Sequence, residues 1–416
     1  MPSFLDIFNK LPVDTQKILN TVWDLLPDGE RESLRSVFGN IPADPNLFKL
    51  LVDLSLSHLQ QAFGQVNAVA IVGPANVGKS TLYNQLVRSK QDRAEVSPLP
   101  GTTRVNQQAE AGLFRMVDTP GADAVGEVGA AEKAEALFAA EQANFLLIVF
   151  DAIQGIKKAE LELFEELTAL QKPYLVVVNK MDLVGRESAR VIEKTAANLG
   201  LKPEQLVAIS AKHGKNIEKI LMGIAAVEPK IVAALGQALP EYRWQLALRS
   251  IAGTSALAAA IALTPLPLID FIPLTAAQTT LVITIARIYN YKMTLQRARE
   301  LAATFGLGLL ARTLFQELSK LGGLPGWMLS AVIAASTTAA IGFAAATWFE
   351  KGEKLTSSAM NRVTKAYMAY LLDRLRGLGK GKPSPKDLQA HIEEALLDAP
   401  TLITQPPAEK ARGEER

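Results

Sequence analysis

The sequence predicts an α/β fold, a mostly parallel sheet with helices on both faces, flanked by an N-terminal helical segment and a C-terminal all-α hydrophobic domain. Three observations predict it. Short β-branched apolar runs alternate with helix-patterned segments between residues 66 and 228. The first of these runs ends in a glycine-containing turn that opens a helix pattern, the order of a strand–loop–helix unit. After residue 229 the strand-like runs stop and long charge-free stretches take over. The expected divisions are 1–65 for the N-terminal segment, 66–228 for the α/β domain, 229–378 for the hydrophobic helical domain and 379–416 for a tail with one short helix.

In the first segment, apolar positions recur at helical spacing in "TQKILNTVWDLL" and "LFKLLVDLSLSHLQQAF". Between them, "LPDGE" and "GNIPADPN" carry turn chemistry, because proline sets φ and glycine and asparagine tolerate positive φ. Five strands are expected, in "NAVAIVG" (67–73), "LFRMVD" (113–118), "FLLIVFD" (145–151), "YLVVVN" (174–179) and "LVAIS" (206–210). The patterns "GKSTLYNQLVRS", "AAEKAEALFAAE", "KKAELELFEELTAL" and "ESARVIEKTAANLG" supply helices between them. Strands separated by helices pair in parallel and are buried on both faces. In the C-terminal domain, charge-free runs cover 251–269, 271–286 and 321–349, with Asp270 between the first two. In the tail, "SPKDLQAHIEEALLDAP" predicts a helix with Ser384 as its cap and Pro385 in its first turn.

Of the 416 residues, 49% are hydrophobic and 21% charged, and the apolar excess is concentrated after residue 250. A net charge of +2 does not by itself imply a nucleic-acid partner. Without cysteine there is no disulfide, thiolate metal site or thiol nucleophile. The opening "MPSFLDIFNK" has an acidic residue and no long apolar run, so neither a secretory signal nor an Arg-rich transit peptide is expected. His58, His213 and His391 are scattered and lack metal-ligand spacing.

"GPANVGKS" (73–80) matches the G-x-x-x-x-G-K-[ST] phosphate loop in full. Gly73 and Gly78 let successive backbone N–H groups turn inward toward phosphate oxygens. Lys79 reaches the β- and γ-phosphates, and the Ser80 hydroxyl takes a Mg²⁺ position. Asn76, Val77 and Thr81 complete the nucleotide-binding stretch. Three further motifs name the base and the metal. In "DTPG" (118–121), Asp118 can hold Mg²⁺ through a water and the Gly121 N–H can meet the γ-phosphate. In "NKMD" (179–182), the Asp182 carboxylate can accept the N1–H and 2-amino hydrogens of guanine, which adenine lacks. Asn179 can tie this loop to the phosphate loop, and the Lys180 stem can lie over the base. In "SAK" (Ser210, Ala211, Lys212), the Ala211 N–H can donate to the guanine carbonyl. Each motif follows a predicted strand, and ligands in such sheets bind at the C-terminal edge of the strands.

This ordered set resembles the Era-like P-loop GTPases, which include the tRNA-modification GTPase group. The resemblance implies GTP/GDP and Mg²⁺ as ligands and GTP hydrolysis as the activity. "PGTTR" (100–104) is similar to the family's first switch, where Thr103, or alternatively Thr102, completes the Mg²⁺ shell. Asn76 matches the asparagine that some members use to hold K⁺; the alternative is a turn former that bonds its own backbone. Val105 stands where the family usually has aspartate, and Ala122 follows "DTPG", so no glutamine is placed to orient water. Glu127 and Glu132 either assist a water or are solvated charges. Lys79, Thr103 and Gly121 are the expected catalytic set, and slow intrinsic hydrolysis is expected, accelerated by a cation, a partner or dimerisation.

The run 321–349 would form a helix of about 43 Å, longer than the roughly 30 Å hydrocarbon core. "GGLPG" at 322–326 trims it, leaving Trp327 to Phe349, with Trp327 and Trp348 near its ends. Around Asp270, Pro265, Pro267 and Pro273 point to a helical hairpin instead of one long helix. "PLPLIDFIPLTAAQTTLVITIARIYN" resembles the hydrophobic C-terminal domain of unknown function carried by some Era-like GTPases. That resemblance implies membrane association, at the cytoplasmic face; the alternative is a soluble helical bundle in the cytoplasm. The expected function is a GTP switch coupled to this module, with guanine nucleotide and membrane lipid as partners and a nucleotide-dependent dimer possible. A dynamin-like remodeller and a soluble RNA or ribosome-assembly factor are the alternatives. The second lacks a recognisable RNA-binding module, so nucleic acid is not the expected partner.

Overall fold

The computed structural model describes residues 68–74, 76–87, 113–116, 137–138, 140–263, 271–291, 325–353, 355–379 and 381–399. The expected N-terminal helices lie outside the described residues. So do Thr102, Thr103, Val105, Asp118, Gly121, Ala122, Glu127, Glu132 and the turn around Asp270.

Five strands form one sheet: β1 (Val69–Val72), β2 (Phe114–Met116), β3 (Phe145–Asp151), β4 (Tyr174–Asn179) and β5 (Leu206–Ala208). Their order is β2-β1-β3-β4-β5, and every pairing is parallel. The order reverses between β1 and β3, so the crevice at their C-terminal ends is the topological switch point. Between β3 and β4 the register sets Asp151 beside Asn179.

Alternate residues of each strand enter two different cores. Ala70, Val72, Leu146, Ile148, Phe150, Val176 and Val178 face the helices α2 (Lys158–Ala169) and α3 (Ser188–Leu199). Val69, Ile71, Phe145, Leu147, Val149 and Val177 face α1 (Lys79–Val87) and α4 (Ile217–Val227). The second core does not stop at the α/β domain. It continues through α4 and α5 (Val232–Ala238) into the helical domain as one contiguous cluster.

That domain contains α6 (Arg243–Ala262), α7 (Phe271–Ile288), α8 (Gly326–Lys351), α9 (Ser357–Arg376) and α10 (Pro385–Leu397). Pro325 precedes α8 and the left-handed Gly352 ends it. The two helices α6 and α7 pack on each other; Pro265 and Pro267 lie outside the described residues, and Pro273 falls within the first turn of α7. Ser384 caps α10 by accepting the Asp387 N–H at 3.1 Å. This last helix packs against α6: Leu388 and Ile392 are fully buried, and Glu393 pairs with Arg249 at 2.8 Å.

The apolar helix α8 is the centre of the bundle, in contact with α6, α7 and α9. Its most apolar window is 94% buried. Three of its hydroxyls bond within the helix: Ser336, Thr337 and Thr347 donate to the carbonyls of Val332, Ile333 and Phe343 at 2.6, 2.7 and 2.8 Å. Between helices, Gln278 donates to Thr338 at 2.9 Å in the buried interior. Two helical stretches, Pro240–Ala262 and Gly326–Lys351, are long and apolar enough to cross a membrane, by length and composition.

Candidate nucleotide-binding site

The phosphate-loop residues Gly73 to Lys79 link the end of β1 to α1. Gly73 has φ +151°, and a Cβ there would lie 2.2 Å from the Val149 carbonyl oxygen of β3. Gly78 has φ +94°, and a Cβ there would meet the Asn179 amide nitrogen at 2.4 Å. Both glycines are therefore demanded twice, by backbone angle and by the closeness of the neighbouring strands. Asn76 adopts a left-handed φ of 63° and is exposed, as are Ser80 and Thr81, whereas Val77 is buried in the core.

Lys79 is only 4% exposed. Its Nζ donates to the Gly73 and Pro74 carbonyls at 2.7 and 2.8 Å, which folds the cation back over its own loop. A bound phosphate would compete for that ammonium group. The Ser80 hydroxyl sits in the first turn of α1, where the helix N-terminus favours anions. Ser80 is the one described member of the expected Mg²⁺ set. Among the described residues no cluster of three His, Asp or Glu side chains forms another metal site.

Asn179 joins the loops. Its Nδ2 donates to the Val77 carbonyl of the phosphate loop at 2.9 Å, and its Oδ1 accepts the Ala211 N–H at 2.9 Å. The predicted tie between the two loops is thus present in this geometry and extends to a third loop. One consequence differs from the sequence reading: the Ala211 N–H already has an acceptor, so it can serve a guanine carbonyl only by sharing or leaving Asn179. Ser210 is buried, and its backbone bridges to Lys215, which closes the 210–215 loop on itself.

Asp182 lies in a short turn after β4, with His213 Nε2 3.6 Å from its carboxylate. The Ser210 hydroxyl is the main influence that holds the Asp182 carboxyl below the usual carboxylate range, and His213 and Lys212 add positive charge nearby. Lys180 has a left-handed φ of 64° and donates to the Asn76 carbonyl at 2.6 Å. Its ammonium also pairs with Asp151. Sequence reasoning missed Asp151. The signal was available: an acidic residue ends an otherwise apolar strand, at the same edge as the other motifs.

A phosphate loop after β1, the loops after β4 and β5 beside it, and an asparagine bonding both, on a parallel sheet with the 2-1-3-4-5 order, define a P-loop GTPase domain. The comparisons with known proteins agree on that class. Residues 68–180 match the family model described as 50S ribosome-binding GTPase, and residues 230–373 match a domain of unknown function (DUF697). Among curated relatives, GTPase Der of Trichlorobacter lovleyi is 36% identical over 167 residues, covering 39% of this chain and 36% of the relative. GTPase Der of Solidesulfovibrio magneticus is 40% identical over 170 residues, covering 39% of this chain and 36% of the relative. The chain therefore spans about a third of the length of the curated relatives it matches. Among solved structures, a variant of Aquifex aeolicus Era bound to GDP and aluminium fluoride is 28% identical, covering 40% of this chain and 57% of that one, with a TM-score of 0.31.

Proposed function

We propose that this protein is a GTP-binding and GTP-hydrolysing switch, related to the Der and Era GTPases, whose helical domain responds to the nucleotide. The observation that supports the reading is the pair of hydrogen bonds of Asn179, donated to the Val77 carbonyl at 2.9 Å and accepted from the Ala211 N–H at 2.9 Å, which link the phosphate loop to the loops after β4 and β5. In this reading Gly73, Asn76, Val77, Gly78, Lys79, Ser80 and Thr81 cradle the phosphates. Asn179, Lys180, Asp182, Ser210, Ala211 and Lys212 surround the base. Mg²⁺ is held by Ser80 with Thr103 and Asp118, and supplies positive charge to the transferring phosphoryl group. Thr103 and Gly121 sense the γ-phosphate. Hydrolysis is slow by itself and is accelerated by K⁺ at Asn76 or by pairing of two copies.

The base-reading role of Asp182 is the direct test. With Asp182→Asn, the acceptor for two guanine donors is lost, and preference shifts from GTP toward xanthosine triphosphate by at least about 100-fold in competition titrations. An unchanged preference removes the base assignment. The wild-type preference holds from about pH 8 to about pH 5. Asp182 titrates below its ordinary value, so its ionised form persists until the pH falls through that lowered value.

Membrane association of the helical domain belongs to the same proposal. The length and composition of α6 and α8 support it. Because α8 is enclosed, a bilayer would be met by the helices around it, with α8 at the protein centre. The expected result is that native protein stays with the membrane pellet through a carbonate wash and leaves it in detergent. Release by carbonate alone assigns the bundle to the soluble alternative.

A further inference from the structure

Asp151 is 6% exposed and has no part in the nucleotide contacts assigned above. We propose that Asp151 is a positioning residue for the nucleotide, acting through Lys180 on both the base and the phosphate loop. The proposal rests on the GTP-binding reading. Three observations carry it. The β3–β4 register places Asp151 level with Asn179, immediately before Lys180. The carboxylate is itself held, because Oδ1 accepts the Ile153 N–H at 2.7 Å. The other oxygen pairs with Lys180 Nζ, which gives a second hydrogen bond to the Asn76 carbonyl at 2.6 Å. A carboxylate on β3 thereby fixes a lysine after β4, and the lysine fixes the peptide of Asn76 after β1.

The backbone supports this chain of contacts. Lys180 and Asn76 both adopt left-handed φ, near 64° and 63°. Asparagine tolerates that conformation by itself, whereas lysine adopts it rarely, so the angle at Lys180 is the one that surrounding contacts maintain. Lysine has four rotatable side-chain bonds, and its side chain here is 29% exposed. Released from Asp151, the ammonium group would rotate into water, and the stem would no longer be held where the base plane lies. Base discrimination would survive, because Asp182 reads the guanine edge independently. Affinity would fall for GDP and GTP alike.

The experiment is a double-mutant cycle on the full chain, read with a fluorescent GDP analogue and paired with thermal denaturation. Asp151→Asn is expected to weaken GDP binding about tenfold, with the preference for GTP over xanthosine triphosphate unchanged. Lys180→Met weakens it further, and the double variant binds no more weakly than Lys180→Met alone, because Asp151 acts through that lysine. Losses that multiply in the double variant overturn the proposal, as does an Asp151→Asn protein that binds as wild type does. If Asp151→Asn does not fold, Asp151→Glu takes its place in the same cycle. A wild-type protein that binds no guanine nucleotide overturns the GTP reading itself, and the positioning role with it.

Discussion

Lys79→Ala removes nucleotide binding while leaving the fold in place. The Nζ of Lys79 donates to two loop carbonyls, at 2.7 and 2.8 Å, inside a turn where the side chain is 4% exposed. Hydrogen bonds to charged groups contribute about 1.5–3 kcal/mol each, and a polyphosphate offers the ammonium more than one oxygen. The expected loss is therefore on the order of 100- to 1,000-fold in affinity for GTP and GDP. Alanine is compatible with the first turn of α1 and leaves the glycine angles untouched, so circular dichroism changes little, while loss of the two bonds to the Gly73 and Pro74 carbonyls lowers the melting temperature by about a few degrees. Calorimetry on the full chain with Mg²⁺ checks this. Unchanged GTP affinity would contradict the phosphate-loop assignment.

The second large effect concerns stability. At Gly342 of α8, a Cβ would lie 2.6 Å from the Ile251 side chain of α6 and 2.8 Å from that of Leu281 of α7. Three helices therefore meet at a position where any side chain must displace its neighbours. Gly342→Leu must displace at least one of them, at a cost of about 3 kcal/mol or more. The melting temperature falls by roughly 4 °C, the shift that such a loss gives in a single cooperative unit of this size. Since the core of the helical domain continues into the sheet through α4 and α5, the loss appears as one shifted transition, with nucleotide binding lost alongside helical signal. A melt in which GTP binding outlasts the helical domain would refute that continuity. Gly342→Ala is milder, because the atoms it meets are side-chain atoms that can shift.

The motifs of the candidate nucleotide site are legible in the sequence because the chemistry proposed for them depends on local order. The glycines, Lys79 and Ser80 must follow one another within a single turn, and so must Asn179 and Asp182. Strands buried on both faces read as uninterrupted apolar runs, so all five are visible without alignment. Asp151 was not legible in the same way. Its importance comes from a partner 29 residues away, through a register between strands that local pattern does not specify. The engagement of the Ala211 N–H by Asn179 is a relation of the same kind, across 32 residues.

The helical half was legible as helices but not as a packing arrangement. Charge-free runs, prolines and caps predicted α6, α7, α8 and the Ser384-capped helix. Composition does not say which surface an apolar helix covers, since lipid and a protein interior accept the same side chains. Only packing placed α8 inside the bundle, set the helix of the tail against α6 through Leu388 and Ile392, and joined the two domains in one core. The amino-acid sequence by itself determined the elements and the order of the phosphate-loop and NKMD motifs along the chain, because backbone angles and short-range donors act over a few residues. The tertiary structure alone decided the Asp151–Lys180–Asn76 connection and the burial of α8, because contacts between distant segments depend on register and on how closely helices can approach.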